Sequence, residues 1–170
     1  YFGDTLSDKI ISQKGELEGE TKRETILFAD LSAYSTITEN MSPEVALEFL
    51  NEYFTKMHDV IKEFDGHTLN YIGDSVMVVF GAPKNLKSHE NQAVKCSLKM
   101  QEKLKKLNRE WDDNETSRYW KNHGIDSITM RIGIHTGSVI AGNVGSQEMR
   151  QYSTIGDTVN VAARLETENK

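Results

Sequence analysis

Two short segments decide the fold: FADLSAYS at residues 28–35 and YIGDSVMVVFG at residues 71–81. In the first, Asp30 follows the β-rich run 25–29, which predicts a strand inside a sheet. In the second, Asp74 stands in a Gly-Asp turn between two apolar runs, which predicts the tip of a β-hairpin. Each segment therefore predicts a buried strand next to a single carboxylate.

The pair formed by Asp30 and Asp74 indicates a metal site. A carboxylate at the end of a buried strand is poorly solvated, and two such groups at neighbouring strand ends repel each other unless a cation lies between them. Hard oxygen ligands favour Mg²⁺ or Mn²⁺, which commonly bridge carboxylates to substrate phosphates. The alternative is structural: Asp30 caps a helical turn that begins near Ser32, and Asp74 serves only its turn. That alternative is favoured for either residue alone, whereas the pair on this strand pattern favours the metal.

A third segment, QYSTIGDTVNVAARLE at residues 151–166, predicts a strand followed by a helix. Asp157 or Thr158 is the expected N-cap of that helix. Asn160 and Arg164 are four residues apart and project from one helix face, where an amide and a guanidinium suit a ribose oxygen and a phosphate. A solvated polar face is the alternative. The apolar neighbours instead favour a buried helix with two polar residues aimed at one site.

Four segments together resemble the catalytic domain of class III nucleotidyl cyclases, the adenylate and guanylate cyclases. They occur in order from about Glu24 to the last residue and read FADLSAYS, NYIGDSVMVVFG, RIGIHTGSVIAGNVG and YSTIGDTVNVAARLE. The resemblance implies a ferredoxin-like α/β fold, an α+β sandwich whose central, mostly antiparallel sheet has helices packed on it. It also implies cyclisation of a nucleoside triphosphate to the 3′,5′-cyclic monophosphate, with release of pyrophosphate.

The resemblance further implies two Mg²⁺ or Mn²⁺ ions per active site, which promote in-line attack of the ribose 3′-OH on the α-phosphate. Their ligands would be Asp30, Asp74 and the main-chain carbonyl of Leu31. The turn that follows is expected to offer N–H groups to the phosphates, as helix entries do. Its residues are Ser32, Ala33, Tyr34 and Ser35.

Asn160 and Arg164 acquire roles through the same resemblance. Asn160 would orient the ribose, and Arg164 would stabilise the charge that develops on the α-phosphate. In the family these two residues come from the opposite subunit. Because this one chain carries both halves of the set, the resemblance implies a homodimer with two shared sites, and a monomer that is nearly inactive.

The positions that select the base in the family are Asn70 and Ser153 here. Adenylate-forming members typically have Lys at the first position and Asp or Thr at the second, and guanylate-forming members have Glu and Cys. An Asn amide both donates and accepts, so Asn70 suits adenine in one orientation and guanine in the other. Ser153 is closer to Thr than to Cys, which favours ATP and leaves GTP as the alternative.

Two other classes of protein are alternatives to an active cyclase. A catalytically silent cyclase homology domain, which binds nucleotide or only dimerises, would be favoured by loss of Asp30, Asp74, Asn160 or Arg164, and all are present. A diguanylate cyclase is excluded because its Gly-Gly-Asp/Glu-Glu-Phe turn is absent where residues 72–75 read IGDS. An active cyclase in cyclic-nucleotide signalling is therefore the favoured function.

Composition fits one domain without a nucleic-acid partner. The chain has 170 residues, a net charge of −6 and one cysteine, Cys96, which excludes an internal disulfide. Negative charge argues against binding to nucleic acid or anionic membrane. The longest apolar stretch, residues 76–83, is far shorter than the roughly 20 residues of a membrane span. A cytoplasmic catalytic domain is expected. A membrane anchor upstream of this domain is compatible with that expectation for the full-length protein.

Domain boundaries follow from the same resemblance. Residues 1–23 are predicted to be a junction to an upstream regulatory domain, with a short helix over residues 4–11. Residues 24–170 are the predicted catalytic domain, which is expected to stop before the family's phosphate-binding lysine and last strands.

Helical periodicity predicts two long helices, one entered at Ser42-Pro43 and one capped by Ser88. The predicted core face of the first comprises Val45, Leu47, Leu50, Phe54, Met57, Ile61 and Phe64. That of the second comprises Ala93, Cys96, Met100, Leu104 and Leu107. Residues 108–127 show no period, and their aromatic residues are interpreted with about equal weight as interface anchors or satellite core. These are Trp111, Tyr119 and Trp120.

A further strand is predicted over residues 128–135, and a glycine-spaced hairpin over residues 137–145, where backbones approach closely. His135 is interpreted as a packed strand residue because no second metal-binding side chain stands at a suitable spacing from it.

Overall fold

The structure is a computed structural model that describes residues 19–146 and 148–169, and it contains one antiparallel sheet with helices on both faces. The strand order is β2-β3-β1-β4-β5. The strands are β1 Glu20–Leu31, β2 His67–Ile72, β3 Ser75–Phe80, β4 Met130–Gly145 and β5 Arg150–Ile155. The predicted α+β architecture with a central antiparallel sheet is confirmed.

The helices of the described chain lie between these strands and after the last one. They are α1 Tyr34–Thr38, α2 Pro43–Glu63, α3 His89–Asp113, α4 Arg118–Lys121 and α5 Asp157–Glu168. Helix α2 begins as predicted: Pro43 is its first residue, and the Ser42 hydroxyl accepts a hydrogen bond from the Val45 N–H at 3.4 Å. Ser88 is the N-cap of α3, but its side chain makes no capping hydrogen bond.

Side chains alternate along β1 and so build two cores. Leu27, Ala29 and Leu31 lie in the larger core, together with the buried faces of α2 and α3. Ile26 faces the other way and packs in a second core that contains Ala162 of α5. The sheet therefore lies between α2 and α3 on one face and α5 on the other, and Asp30 shares the face of Ile26.

The two long helices match their predictions unequally. All five predicted core residues of α3 are buried, and burial raises the pKa of the Cys96 thiol to about 12, which suits a packing role. On α2 the prediction was wrong for Leu47, whose side chain is 60% exposed. The buried face of α2 consists of Phe49, Tyr53, Met57, Val60 and Ile61. The apolar residues of α2 span more than one face, so periodicity alone did not fix which of them touch the sheet.

The predicted hairpin over residues 137–145 is absent, because β4 is one continuous strand from Met130 to Gly145. Its first part pairs with β1, and its last part also pairs with β5. The glycines provide close approach rather than a turn. A Cβ on Gly133 would lie 2.2 Å from the carbonyl oxygen of Ala162, and one on Gly137 would lie 2.4 Å from the hydroxyl of Thr158.

The aromatic residues of the 108–127 region belong to the main core. Trp111 and Trp120 have no exposed surface, and their rings stack edge-on with centroids 5.6 Å apart. The indole N–H of Trp111 donates to Glu52 at 2.9 Å, and Tyr119 packs at the edge of the same cluster. The interface-anchor interpretation is therefore wrong for both tryptophans.

The predicted junction divides into two parts. Residues 1–18, including the predicted helix over residues 4–11, lie outside the described residues. Strand β1 starts at Glu20, so residues 20–23 are part of the sheet and pair with β4. Within the described ranges, none of the helices has both the length and the apolar character needed to cross a membrane.

Candidate active site

Two strand ends bring Asp30 and Asp74 together. Strands β1 and β3 are antiparallel neighbours with Ala29 opposite Val76, so the end of β1 lies beside the β2–β3 turn. Gly73 adopts a left-handed conformation in that turn, with φ of 61°. Asp74 then points back at β1, and its carboxylate accepts a hydrogen bond from the Leu31 N–H at 3.1 Å.

Ser75 and Arg131 bind the two carboxylate oxygens of Asp30. The Ser75 hydroxyl donates to one of its oxygens at 2.6 Å, and the guanidinium of Arg131 binds the other. Arg131 also contacts Glu166 of α5, with Nε and Oε1 3.1 Å apart. Helix α1 has Ala33 at its N-cap and no side-chain cap, so Asp30 is not the helix cap that the structural alternative required.

The two carboxyl groups share one hydrogen bond, and their pKa values move apart. Burial raises the pKa of Asp74 to about 6, helped by the hydrogen bond and the charge of Asp30. Burial also acts on Asp30, but the hydrogen bonds from Ser75, Asp74 and Arg131 outweigh it and lower the pKa of Asp30. Asp74 therefore gives up its proton less readily than Asp30, because two adjoining acids cannot both ionise without cost.

The donor set fits a divalent cation that is shared with substrate. In residues 19–146 and 148–169 no cluster of three or more His, Cys, Asp or Glu side chains is present that could hold a metal alone. Asp30 and Asp74 supply two adjoining carboxylates, which is what Mg²⁺ typically takes from a protein when phosphates and water complete its shell. A cation between them would also relieve the repulsion that raises the pKa of Asp74.

The predicted phosphate turn differs in part from expectation. The N–H of Leu31 already donates to Asp74, and the N–H of Ser32 donates to the carbonyl of Thr129 at 2.9 Å. The N–H groups of Ala33, Tyr34 and Ser35 lie at the start of α1, where helices leave donors without an intrahelical acceptor. The N–H group of Ser32 thus already has an acceptor in the sheet, and the turn stays a predicted phosphate site.

Helix α5 presents Asn160 and Arg164 to solvent. Its buried stripe is Thr158, Ala162 and Glu166, so the prediction of a largely buried helix was wrong. Glu166 points to Arg131 and the carboxylate pair, and two residues along a helix correspond to a rotation of about 200°. Arg164 therefore faces away from the carboxylates of its own chain.

The start of α5 also differs from prediction. Gly156 is the N-cap, with φ of 151°, and both Asp157 and Thr158 lie inside the helix. The hydroxyl of Thr158 donates to the carbonyl of Ser138 at 2.8 Å, so it ties α5 to β4 instead of capping it.

Asn70 and Ser153 lie on the two edge strands of the described sheet, yet these edges approach each other. Gln151 of β5 donates through its amide to the carbonyl of Leu69 at 2.9 Å and to Oδ1 of Asn70. The ring centroids of His67 and Tyr152 lie 6.2 Å apart across the same gap. Because side chains alternate along a strand, Ser153 lies on the same face of β5 as Gln151.

Sequence reasoning missed Arg131, Glu166 and Gln151. Arg131 had one available signal: it is the one Lys, Arg, Asp or Glu residue of the strand predicted over residues 128–135. Its role depends on the pairing that sets Arg131 opposite Asp30, which sequence spacing does not supply. Gln151 and Glu166 carried no signal of their own, because their partners lie on other elements.

The fold and this site define an α+β domain with a paired-carboxylate centre at adjoining strand ends. The chain belongs to the adenylate and guanylate cyclase catalytic domain family, which matches residues 18–170.

Relatives of both kinds are similar to this chain. Adenylate cyclase 1 of Rhizobium meliloti (strain 1021) is 37% identical over 146 residues, which cover 86% of this chain and 21% of that protein. The receptor-type guanylate cyclase gcy-28 of Caenorhabditis elegans is 34% identical over 143 residues, covering 84% and 10%. The chain thus spans only a small part of these curated relatives.

Solved structures show the same fold. The guanylyl cyclase Cya2 matches with a TM-score of 0.78 and 34% identity, over 89% of this chain and 73% of that one. The adenylyl cyclase CyaB from P. aeruginosa matches with a TM-score of 0.75 and 28% identity, over 91% and 76%. Both comparisons support a cyclase catalytic fold, and they do not distinguish the two substrates.

Proposed function

We propose that this domain is a nucleotidyl cyclase that converts a nucleoside triphosphate, with ATP favoured, into the 3′,5′-cyclic monophosphate and pyrophosphate. The observation that carries the proposal is the position of Asp30 and Asp74 at adjoining strand ends, where Asp74 accepts from the Leu31 N–H and Asp30 accepts from the Ser75 hydroxyl. Two acids this close ionise together at low cost only when a divalent cation lies between them, and a nucleoside triphosphate brings the phosphates that complete the ligand shell of that cation. Family membership supports the reaction class.

Asp30 and Asp74, with the carbonyl of Leu31, would hold two Mg²⁺ or Mn²⁺ ions. When bound, such ions neutralise phosphate charge and make the ribose 3′-OH a better nucleophile. The N–H groups at the start of α1 would contact the phosphates, and Asn70 and Ser153 would contact the base. Ser75 and Arg131 fix the orientation of Asp30.

Asn160 and Arg164 would reach the substrate of a second copy of the chain. Both side chains are exposed, and neither makes a hydrogen bond or ion pair within the described residues. Two apolar side chains that solvent also reaches lie next to them: Ile155 lines a surface depression with Asn160, and Leu165 follows Arg164 in the chain. Exposed apolar side chains beside polar ones are expected of a surface that another subunit covers. A homodimer would thus complete two sites, with Asn160 at the ribose and Arg164 at the α-phosphate.

A guanylate cyclase is the second candidate. The observation in its favour is that guanylate-cyclase relatives are almost as similar to the chain as adenylate-cyclase relatives. The two candidates use the same residues, and they differ only in how Asn70 and Ser153 would contact the base.

The test incubates the dimeric protein with Mn²⁺ and either ATP or GTP and identifies the product by mass spectrometry. Cyclic AMP is expected, and Asp30→Ala should abolish its formation while circular dichroism shows an intact fold. Asp126→Ala, which removes an exposed carboxylate, is the control and should leave turnover unchanged. Wild-type turnover in Asp30→Ala would refute the metal assignment. If neither ATP nor GTP gave a cyclic product, the proposed function would be refuted.

A further inference from the structure

Helix α3 carries positive charge and aliphatic side chains on the face that points away from the core. At about 100° per residue, six exposed side chains between positions 94 and 109 lie within about 120° of one another around the helix axis. We refer to this set as the basic face of α3, and it extends over about 22 Å of the helix. Its members are Val94, Lys95, Leu98, Lys105, Lys106 and Arg109.

The cations of the basic face are not neutralised within the described protein. None of its four Lys and Arg side chains makes a hydrogen bond or ion pair in residues 19–146 and 148–169. Glu102 is the one acidic residue between positions 94 and 109, and it pairs with Lys99 at 3.2 Å. Lys105 and Lys106 stand four and three residues before Arg109, and like charges at these spacings destabilise a helix. A local excess of positive charge therefore remains on a chain whose net charge is −6.

Exposed aliphatic side chains distinguish the basic face from an ordinary solvated helix face. Val94 and Leu98 are 49% and 63% exposed, and they lie one helical turn apart. Lys95 stands between them in the sequence, and Lys105 lies on the same side of the helix further along. Lysine side chains can lay their methylene groups along apolar surface and keep their charge at its edge. The basic face thus combines the two features of a surface that binds at a membrane interface, apolar side chains and surrounding positive charge.

We propose that the basic face of α3 is a peripheral contact with an anionic lipid membrane. Anionic headgroups attract lysine and arginine side chains, and Val94 and Leu98 would enter the boundary between the headgroups and the acyl chains. A convex helix face fits a plane, whereas a peptide partner is typically held in a groove or at the edge of a sheet.

The net charge of −6 argues against an anionic membrane for the chain as a whole, but not for this face. Attraction to a charged membrane falls off within a Debye length, about 8 Å at physiological ionic strength, so the charges nearest the membrane dominate. The sheet lies between α3 and α5. Binding through α3 therefore leaves α5 free for a second copy of the chain, and it does not depend on the proposed function.

The experiment measures how the whole chain binds to lipid vesicles in a sedimentation assay. EDTA is present so that no divalent cation bridges the protein to the lipid. One set of vesicles contains phosphatidylcholine only, and the other contains phosphatidylcholine with one third phosphatidylserine. The first charge variant is Lys95→Gln/Lys106→Gln, and Lys105→Gln/Arg109→Gln is an independent second one.

Two further variants separate apolar contact from charge. The apolar variant, Val94→Gln/Leu98→Gln, removes the two exposed aliphatic side chains and keeps the charge. The control, Lys62→Gln/Lys84→Gln, removes two positive charges from exposed residues outside α3. Because every substituted side chain is exposed, the fold should be retained, and circular dichroism checks this for each variant.

The wild type should bind the vesicles that contain phosphatidylserine far more tightly than those of phosphatidylcholine alone, and added salt should weaken this binding. Each charge variant should lower the partition coefficient by about 25-fold, because one basic side chain near an anionic surface contributes a factor of about five. The apolar variant should lower it by about tenfold, and salt should not change that loss. The control should bind like the wild type.

Three results would overturn the inference: no preference of the wild type for vesicles with phosphatidylserine, charge variants that bind like the wild type, or a control that binds as weakly as the charge variants. Binding to polyglutamate without binding to vesicles would also overturn it, and would indicate an acidic polypeptide as the partner of this face. Cyclic-nucleotide formation is not a readout, so these outcomes are independent of whether the proposed function is correct.

Discussion

Asp30 and Arg131 are direct cross-strand partners on β1 and β4, and their side chains form an ion pair beside the β2–β3 turn. Arg131 also binds Glu166, so one guanidinium joins the candidate metal ligand to helix α5. The side chains of Asp30 and Glu166 are only 14% and 12% exposed. Arg131 therefore supplies the counter-charge of Asp30 in the metal-free protein.

Arg131→Met should destabilise the metal-free protein. It leaves two poorly solvated carboxylates without a counter-charge, which costs 3–5 kcal/mol at a fully buried pair and, because Arg131 is 30% exposed, about 1–3 kcal/mol here. Urea unfolding in EDTA measures the difference. Mn²⁺ should then raise the melting temperature of the variant more than that of the wild type, because the ion replaces the lost positive charge. Arg109→Met on the exposed face of α3 is the control, and equal stability of all three proteins would contradict the prediction.

Asp74→Asn should stabilise the metal-free protein at neutral pH. The pKa of Asp74 is raised to about 6, so the folded protein binds this proton more tightly than the unfolded chain. The corresponding stability is complete below the ordinary pKa of 3.8 and is lost as the pH rises through about 6. An amide at position 74 cannot ionise, keeps an acceptor for the Leu31 N–H and can donate to Asp30.

At pH 7.5 in EDTA the Asp74→Asn variant should therefore be more stable by about 1 kcal/mol, after allowance for solvent screening of this half-buried group, or about 2–4 °C in Tm. The difference should shrink as the pH is lowered toward 4, and thermal melts across this range measure it. Mn²⁺ should stabilise only the wild type. A difference that does not change with pH would show that repulsion from Asp30 is not its cause.

A mixture of two inactive variants should recover activity if the sites are shared. Arg164→Ala should lower kcat by about 10²–10³, the effect of removing one transition-state donor. After subunit exchange with Asp30→Ala, half of the dimers are mixed, and each mixed dimer contains one intact site of two. Activity should therefore recover to about a quarter of the wild-type value. A mixture no more active than its components would contradict the shared site.

The sequence was sufficient where a function depends on one local pattern. Asp30 and Asp74 each follow from a strand beside a turn, and the adjoining strand ends needed only that the two strands be neighbours. Contacts between side chains of different helices and strands could not be predicted from a local pattern. Gln151 meets Asn70 only because the edges of the sheet curve toward each other, and Arg131 meets Asp30 only in one pairing register.

The same distinction explains the errors. Trp111 continues the helical spacing of Leu104 and Leu107, because α3 runs on to Asp113; the prediction ended that period at Leu107 and so missed the burial of Trp111. Its contact with Glu52 of α2 joins two elements and was not predictable from spacing. The glycines of β4 indicated a close approach, which is correct, but not whether a turn or a helix makes it. The partner is α5, and Gly133 is the position at which that contact is tightest.

Gly133→Ala should therefore move or loosen the helix that carries Asn160 and Arg164. The new methyl group would meet the carbonyl oxygen of Ala162 at 2.2 Å and the N–H nitrogen of Glu166 at 2.3 Å. Both atoms are main-chain atoms of α5, so no side-chain rotation can relieve the clash, and the helix must shift as a unit. Overpacking of this kind costs about 1–3 kcal/mol or more.

Gly124→Ala is the matched control for this substitution. Its Cβ would meet nothing within 4 Å, and its cost of about 1 kcal/mol comes only from the left-handed backbone at φ of 76°. In thermal melts, Gly133→Ala should have a lower melting temperature than Gly124→Ala. At a temperature where both remain folded, Gly133→Ala should also reduce kcat for cyclic-nucleotide formation, because Asn160 and Arg164 move with the α5 backbone. If Gly133→Ala is no less stable than the control and turns over at its rate, then the packing of α5 on β4 does not determine where those two side chains lie.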